Sequence, residues 1–292
     1  MKWSDYLTAS AILAGTILGA GIFGLPHVFS QSGFLIGFFF LILTCFLTTL
    51  THLLYGESLL RTKKECRFPG LAEEYLGKPG LLFVSFTSFI SLVGVLLAYL
   101  VLGGEFSKNF SQIIQRPLSS FEAVLIFWLI GSLGIISGIK MISFGEIFGL
   151  ILMLLLIFIF FFLGLPKLSF SFLKIINLNQ FFLPYGVLLF ALSGGSAVPE
   201  IFYYFKKKQI PPEKINFKKT IILGSVLPAF LYLLFILGVF GILGTKNLAV
   251  DIVPDLIKVN PFLGLVTDIL GLLLIITSYF IVGFGLRNVL FF

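Results

Sequence analysis

Two stretches decide how this chain folds: Gly15-Thr16-Ile17-Leu18-Gly19-Ala20-Gly21-Ile22-Phe23-Gly24-Leu25-Pro26 and Phe190-Ala191-Leu192-Ser193-Gly194-Gly195-Ser196-Ala197-Val198-Pro199-Glu200. They lie about 175 residues apart, each inside a membrane-length apolar run. Each has a glycine pair near its middle and a proline four or five residues further on. Glycine removes the steric bias toward helix, and proline opens a helix well but continues one badly. Both stretches therefore predict a helix broken at mid-membrane. The freed backbone N–H and C=O groups find no partner in lipid, so a break survives only against protein or a polar ligand. Matched breaks in two halves of a chain point to the binding site of a secondary transporter. The pattern implies a carrier of small solutes.

Composition agrees. The chain is 58% hydrophobic with a mean hydropathy of +1.10, and 11% of its residues are charged, against roughly 25% in a soluble domain. The net charge of +7 would suit a nucleic-acid binder only if it were clustered on one surface. Here the lysines and arginines sit in short connectors between apolar runs, as membrane topology requires, so no nucleic-acid partner is expected. Cys45 lies in an apolar span and Cys66 in a basic loop, which is no disulfide framework. The run from Tyr6 to Phe29 follows a basic start but has internal glycines, a proline and no clear cleavage site. It reads as a retained span rather than a signal peptide.

Counting apolar runs able to cross a bilayer of about 30 Å gives an all-α, polytopic membrane protein of about eight transmembrane helices. They are Tyr6–Phe29, Gly33–Leu60, Leu81–Leu102, Ala123–Ile139, Ile142–Leu165, Phe181–Phe205, Thr220–Leu243 and Phe262–Leu286. The fourth and fifth, joined by Gly138-Ile139-Lys140, form a tight antiparallel pair. With the N-terminus cytoplasmic, that side holds 14 basic residues, chiefly in Arg61–Lys78 and Lys206–Lys219, against 6 on the other. The imbalance predicts a multi-pass protein of the inner or plasma membrane with a cytoplasmic N-terminus. Gly70–Leu76 reads as an interfacial amphipathic segment, Lys206–Lys219 with Pro211-Pro212 as a solvated hinge, and Thr245–Pro261 as an external cap.

The breaks supply the candidate binding groups: Thr16, Gly19, Ala20 and Gly21 in the first span, Phe190, Ser193, Gly194 and Gly195 in the sixth. Free N–H groups around Gly19–Gly21 suit a carboxylate, and carbonyls near Phe190–Ser193 suit an ammonium group. An amino acid satisfies both ends. The same glycines would also serve plain close packing of helices. Glu200 is an ionisable group inside an apolar span and a candidate gate or coupling residue, or else it pairs with Lys206 at the interface. Glu57 and Glu146 read as solvated. Asp268, about two turns inside span 8, either faces an outer vestibule or snorkels outward. An enzyme would need a clustered nucleophile and base or a metal set. His27 and His52 sit in different spans and no carboxylates cluster at one depth, so no catalytic residue, metal or cofactor is expected beyond a coupling ion, H+ or Na+.

GTILGAGIFGLP in span 1, FPGLAEEYLGKPG, LLAYLVLGGEF ending span 3, FALSGGSAVPEIF in span 6 and TSYFIVGFGLRN in span 8 together resemble one family over nearly the whole chain. They are similar to the aromatic and hydroxy amino acid permeases, the tryptophan/tyrosine permease group of the amino acid–polyamine–organocation superfamily. The resemblance implies a LeuT-like inverted-repeat fold in one transmembrane domain over 1–292. Repeat one would be 1–165 and a partial repeat two 181–292, with spans 1 and 6 unwound. It implies about eleven spans, so the second repeat would be incomplete, its remaining helices belonging to a longer product or a partner chain. It also places a glutamate at Glu200, a substrate-facing tyrosine at Tyr99, and a hydroxyl pair at Thr277 and Ser278 that binds a cation in sodium-coupled relatives. The expected activity is import of a neutral, aromatic amino acid by proton symport through alternating access. The alternatives are sodium coupling, or a non-transporting amino acid sensor on the same fold.

The orientation is checked by a cysteine at Lys214. An impermeant thiol reagent applied to intact cells leaves it unlabelled and reacts once the membrane is opened.

Overall fold

The computed structural model describes residues 3–62, 66–137, 140–209, 216–245 and 248–290, with side chains left undescribed in the stretch around 137–148 and near the C-terminus. Lys63, Lys64, Pro211, Pro212, Lys214, the Gly138-Ile139 joint and the side chains of Lys140 and Glu146 lie outside the described residues. Every regular element among the described residues is helical.

α1 (Trp3–Ile17) ends at the first glycine cluster, a 3-10 turn (Ala20–Gly24) follows, and α2 (Leu25–Ser32) begins with Pro26 in its first turn. The two halves of this segment are bent by 52°. α3 (Phe34–Thr62) returns, and α4 (Phe68–Ile113) crosses again, followed by α5 (Ser120–Ser137) and α6 (Lys140–Gly164). The second broken segment is α7 (Leu183–Ala191) and α8 (Ala197–Lys207), with Pro199 in the first turn of α8. α9 (Phe217–Leu243), a short α10 (Val253–Val259) and α11 (Pro261–Leu290) complete the chain.

Five helices are long and apolar enough to cross a bilayer, and the bent α1–α2 pair makes a sixth. Of the eight expected spans, the two outside this set are α5, whose apolar stretch Ser120–Ile136 is short, and the broken α7–α8 segment. The stretch Phe68–Ile113 is two helices meeting at a kink at Gly77, so the amphipathic segment Gly70–Leu76 lies in a short helix of its own ahead of the third span. The span differs from its expected limits at its far end, which runs on to Ile113 instead of Leu102. Gly77, at φ 67° and ψ −163°, makes the bend, a conformation that glycine adopts without steric cost. Pro79, two residues on, fits the start of the new segment. α10 packs as a cap-like element against one end of α11.

α9 forms the middle of the core. Tyr232, Phe235, Ile236 and Val239 are fully buried, and α9 packs on α1, α3 and α6. Its contact with α6 is backbone on backbone. A Cβ at Gly238 would fall 2.5 Å from the carbonyl carbon of Phe160, and one at Gly241 would fall 2.0 Å from the Gly164 oxygen. Small residues allow this approach, and it is how apolar helices gain packing energy where no hydrophobic effect separates them from lipid.

At the end of the molecule opposite the N-terminus, the connector after α6 is tied down by hydrogen bonds. Asn177 donates from its backbone to Ser32 O (2.9 Å) and from Nδ2 to Gln31 O (3.1 Å). His27 Nδ1 bonds Leu248 O at 2.7 Å. This end, with α10, is called the cap side below.

Gly238→Ala is expected to force α6 and α9 apart at a cost of about 1–3 kcal/mol, the usual range for overpacking. Gly186→Ala, at a position with nothing within 4 Å of the added carbon, serves as the control. Thermal unfolding in detergent should drop for the first and hold for the second.

Candidate functional site

Both breaks come together at the centre of the bundle. A Cβ on Gly21 would lie 2.9 Å from Ala191 Cα, and one on Gly194 would lie 2.5 Å from the Ile17 side chain. The first span thus crosses the sixth where each has lost its helix. Leu18 N makes the last α-type bond of α1, to Ala14 O at 2.8 Å, and Ile22 N reaches back to Gly19 O at 3.3 Å. The N–H groups at Gly19–Gly21 head the 3-10 turn, where a helix start leaves donors without intrahelical acceptors; that of Gly19 is directed at the Tyr232 hydroxyl oxygen.

Across the crossing, Ser193 N bonds Phe190 O at 3.3 Å, and Ala197 N bonds Gly194 O at 3.0 Å. The Phe190 carbonyl, expected to face an ammonium group, accepts this one long bond and keeps a second lone pair. Two carbonyls that the sequence did not single out lie at the crossing as well. The hydroxyl of Tyr232, a fully buried side chain of α9, lies 2.6 Å from Ile17 O and 3.0 Å from Ala191 O. These are the last carbonyls of α1 and α7. One hydroxyl proton can serve only one of them at a time. The other carbonyl is left as an acceptor in a dry site, where an unpaired polar group is costly and a substrate ammonium group would be welcome. The signal for Tyr232 was present: it is the lone phenol in the apolar run of α9.

The other expected residues divide. Tyr99 packs edge-on against Phe190, ring centroids 5.8 Å apart, and its hydroxyl faces Ser278. Ser278 Oγ lies 3.5 Å from where a Gly19 Cβ would stand. Tyr99, Phe190, Gly19 and Ser278 thus form one constellation around the first break. Thr277 turns back instead, donating to Leu274 O at 3.0 Å, as hydroxyls in apolar helices often do. Thr16 is exposed and donates to Ile12 O at 2.9 Å; Ser193 is exposed, and Gly195 has nothing closer to its added carbon than His52 at 4.0 Å.

Glu200 is exposed, stands in the first turn of α8 where the helix dipole favours an acid, and meets Arg67 of α4 at 3.7 Å. This ion pair joins α8 to the start of α4, a partnership that the sequence did not suggest. Glu57 pairs with Arg61 on the surface, as a solvated acid would.

On the cap side, an aromatic layer lies against the breaks. Phe23 packs on Phe106 at 5.0 Å and on Phe235 at 6.3 Å, and Phe235 on Phe160 at 5.2 Å. All four are fully buried. On the N-terminal side, Thr16, Ser193 and Glu200 are exposed. The aromatic layer closes the crossing on the cap side. Two wholly apolar grooves, about 500 Å³ between α3 and α9 and about 480 Å³ on α6, lie away from it.

Comparison with known proteins identifies the family. The tryptophan/tyrosine permease family matches residues 2–291, and the chain belongs to that family. It is 25% identical over 288 residues to glutamine transporter 2 of Aliivibrio fischeri, covering 96% of this chain and 73% of that protein. It is 23% identical over 292 residues to tyrosine-specific transport system 1 of Haemophilus influenzae, covering 95% and 71%. Tyrosine-specific transport system 2 of the same organism is 24% identical over 300 residues, covering 95% and 71%. The chain is a multi-pass membrane permease and not an enzyme.

Two substitutions separate packing from chemistry. Gly21→Ala must push its new carbon into Ala191 and should weaken amino acid binding, whereas Gly186→Ala, outside the crossing and with nothing within 4 Å of its new carbon, should bind as before. Tyr232→Phe leaves both carbonyls without their donor and should cost about 1–3 kcal/mol of stability, read as a lower melting temperature in detergent.

Proposed function

We propose that the chain imports a neutral amino acid by cation symport through alternating access, with an aromatic substrate and the proton as coupling ion. The observation that supports this most is the crossing of the two breaks. It gathers N–H groups at Gly19–Gly21 and a contested carbonyl pair at Ile17 and Ala191 around one point. A zwitterion offers a carboxylate to the first set and an ammonium group to the second. Its side chain would lie against the Tyr99–Phe190 pair, an aromatic surface suited to ring stacking. The tyrosine-specific relatives favour an aromatic side chain, and the glutamine transporter favours a polar one. Tyr99 and Phe190 tilt the choice toward the ring.

The inverted-repeat reading assigns α1–α6 to a first repeat and α7–α11 to a second, with the N-terminus cytoplasmic and the cap side outside. In that frame the crossing is reachable from the cytoplasm and sealed toward the exterior by Phe23, Phe106, Phe160 and Phe235.

Sodium coupling is the second reading, favoured by Ser278 lying beside Gly19. Hydroxyl and carbonyl oxygens are suitable ligands for a hard cation, and Thr277, which donates its proton to Leu274 O, keeps its oxygen lone pairs for one.

Uptake of radiolabelled tyrosine, tryptophan and glutamine into proteoliposomes tests the function. The expected result is tyrosine or tryptophan accumulation that a protonophore abolishes and sodium replacement leaves intact. Sodium-dependent accumulation lost in Ser278→Ala would move the coupling ion to that side chain. Binding without uptake or counterflow would identify a sensor.

A further inference from the structure

Asp268 is the one acid of α11. It is 0% exposed, and neither of its carboxyl oxygens has a hydrogen-bond partner among the described residues. It neither snorkels nor faces a vestibule, the two alternatives left by the sequence. Its surroundings follow from the pairing of α11 with α4. One turn further along α11, Gly271 lies against Phe106, 2.0 Å from an added Cβ to the ring. One turn from Phe106 toward the cap is Asn109, itself buried. Its Nδ2 donates to Asp251 Oδ1 at 3.2 Å, and Val253 N donates to the same oxygen at 3.0 Å. Asp251 is also the charged group that acts on Asp268. Asp251 and Asp268 are thus two buried carboxyl groups on the cap side of the α4–α11 packing, one supplied with donors and one with none.

We propose that Asp268 is a proton-binding site that loads when the cap side closes and empties when it opens. Burying an ionised carboxylate without donors or a counter-charge is prohibitive, and a second buried carboxylate acting on it makes ionisation of both less favourable still. Asp251 has two donors that favour its charged form, although burial pushes its carboxyl up. The proton therefore rests on Asp268.

Among the described residues, the charged groups packed around the two carboxyls are engaged elsewhere or add to their negative charge. On α4, Glu105 adds negative charge at Asp251, and Lys108 is bonded to Ser120. On α5, Glu122 accepts from Ser119. On α10, Lys258 is paired with Asp255 at 3.1 Å. The 3-10 turn and the described side chains of α6 carry no ionisable group. On opening, water reaches Asp268, its O–H bond breaks heterolytically, and the proton leaves as hydronium; closing reverses the step. The closed state holds one more proton, so acidification favours closure and alkalinisation favours opening.

The opening arm rests on the alternating-access reading, whereas the protonation arm does not. Infrared spectroscopy of the purified full chain at neutral pH should show the carbonyl stretch of a protonated carboxylic acid, and Asp268→Asn should remove it. No such band in the unaltered chain, or a band that survives the substitution, overturns the proposal whatever uptake shows.

For opening, Val253→Cys, at a position with 0% exposure, is compared with Val259→Cys, at one with 58%, after replacement of Cys45 and Cys66 by alanine. The ratio of their reactivities toward a hydrophilic thiol reagent should rise with pH when Asp268 is intact and stay flat in Asp268→Asn. Parallel profiles overturn the proposal. If Asp268→Asn does not fold, Asp251→Asn replaces it: removal of the second carboxyl should shift the opening midpoint to lower pH, and an unmoved midpoint counts against the site.

Discussion

The arrangement depends on one hydroxyl. A membrane helix that stops at mid-depth leaves carbonyls that water cannot reach, and this chain stops two helices at the same place. Tyr232 answers both stops from a third helix: its oxygen is within hydrogen-bonding distance of Ile17 O and Ala191 O. Because a phenol has a single proton, the answer is incomplete by construction. The incompleteness is what makes the crossing chemically receptive rather than merely tolerated. A second donor there would have satisfied both helix ends and removed the reason for a cationic group to enter.

The polarity of the molecule follows from where bulk and charge are placed around that crossing. Buried phenylalanine rings fill the space on the cap side, and the connector beyond α6 is held to the end of α2 through Asn177. Toward the N-terminus the neighbours are small or polar: Thr16, Ser193 and Glu200 are exposed, and the Arg67–Glu200 pair spans 3.7 Å at the rim. An exposed pair of this kind contributes little to stability, so it can break and reform without disturbing the fold. The aromatic layer is the costlier side to open.

Much of this was legible in the residues. Glycine pairs followed by proline located both breaks, because the constraint is local: a backbone with little preference for helix followed by a residue that starts a new one. Gly19, Tyr99, Phe190 and Ser278 were named from motifs and do converge. Tyr232 and the Asn109–Asp251–Asp268 group were not assigned, because their roles depend on distant contacts. The Tyr232 bonds span 215 and 41 residues, and Asn109 and Asp251 are 142 apart. Periodicity reports which face of a helix is apolar but not which partner meets that face. The third span begins close to where composition put it, just after the kink at Gly77. It runs on to Ile113 because polar residues such as Asn109 and Ser111, which read as a loop, are buried against the rest of the protein.

The glycine contact between α6 and α9 has a mechanical consequence. Where Gly164, Gly238 and Gly241 meet, main chain rests on main chain, and side chains interlock only about a turn away, at Phe160 and Phe235. Interdigitated rows of leucine or phenylalanine act like gear teeth and resist sliding, whereas a smooth contact of short reach resists separation while offering little torque against rotation. Such a joint is a fulcrum. It sits near the cap-side end of both helices, so a small turn there sweeps the far ends through the longer arc, on the side where Thr16, Ser193 and Glu200 are exposed.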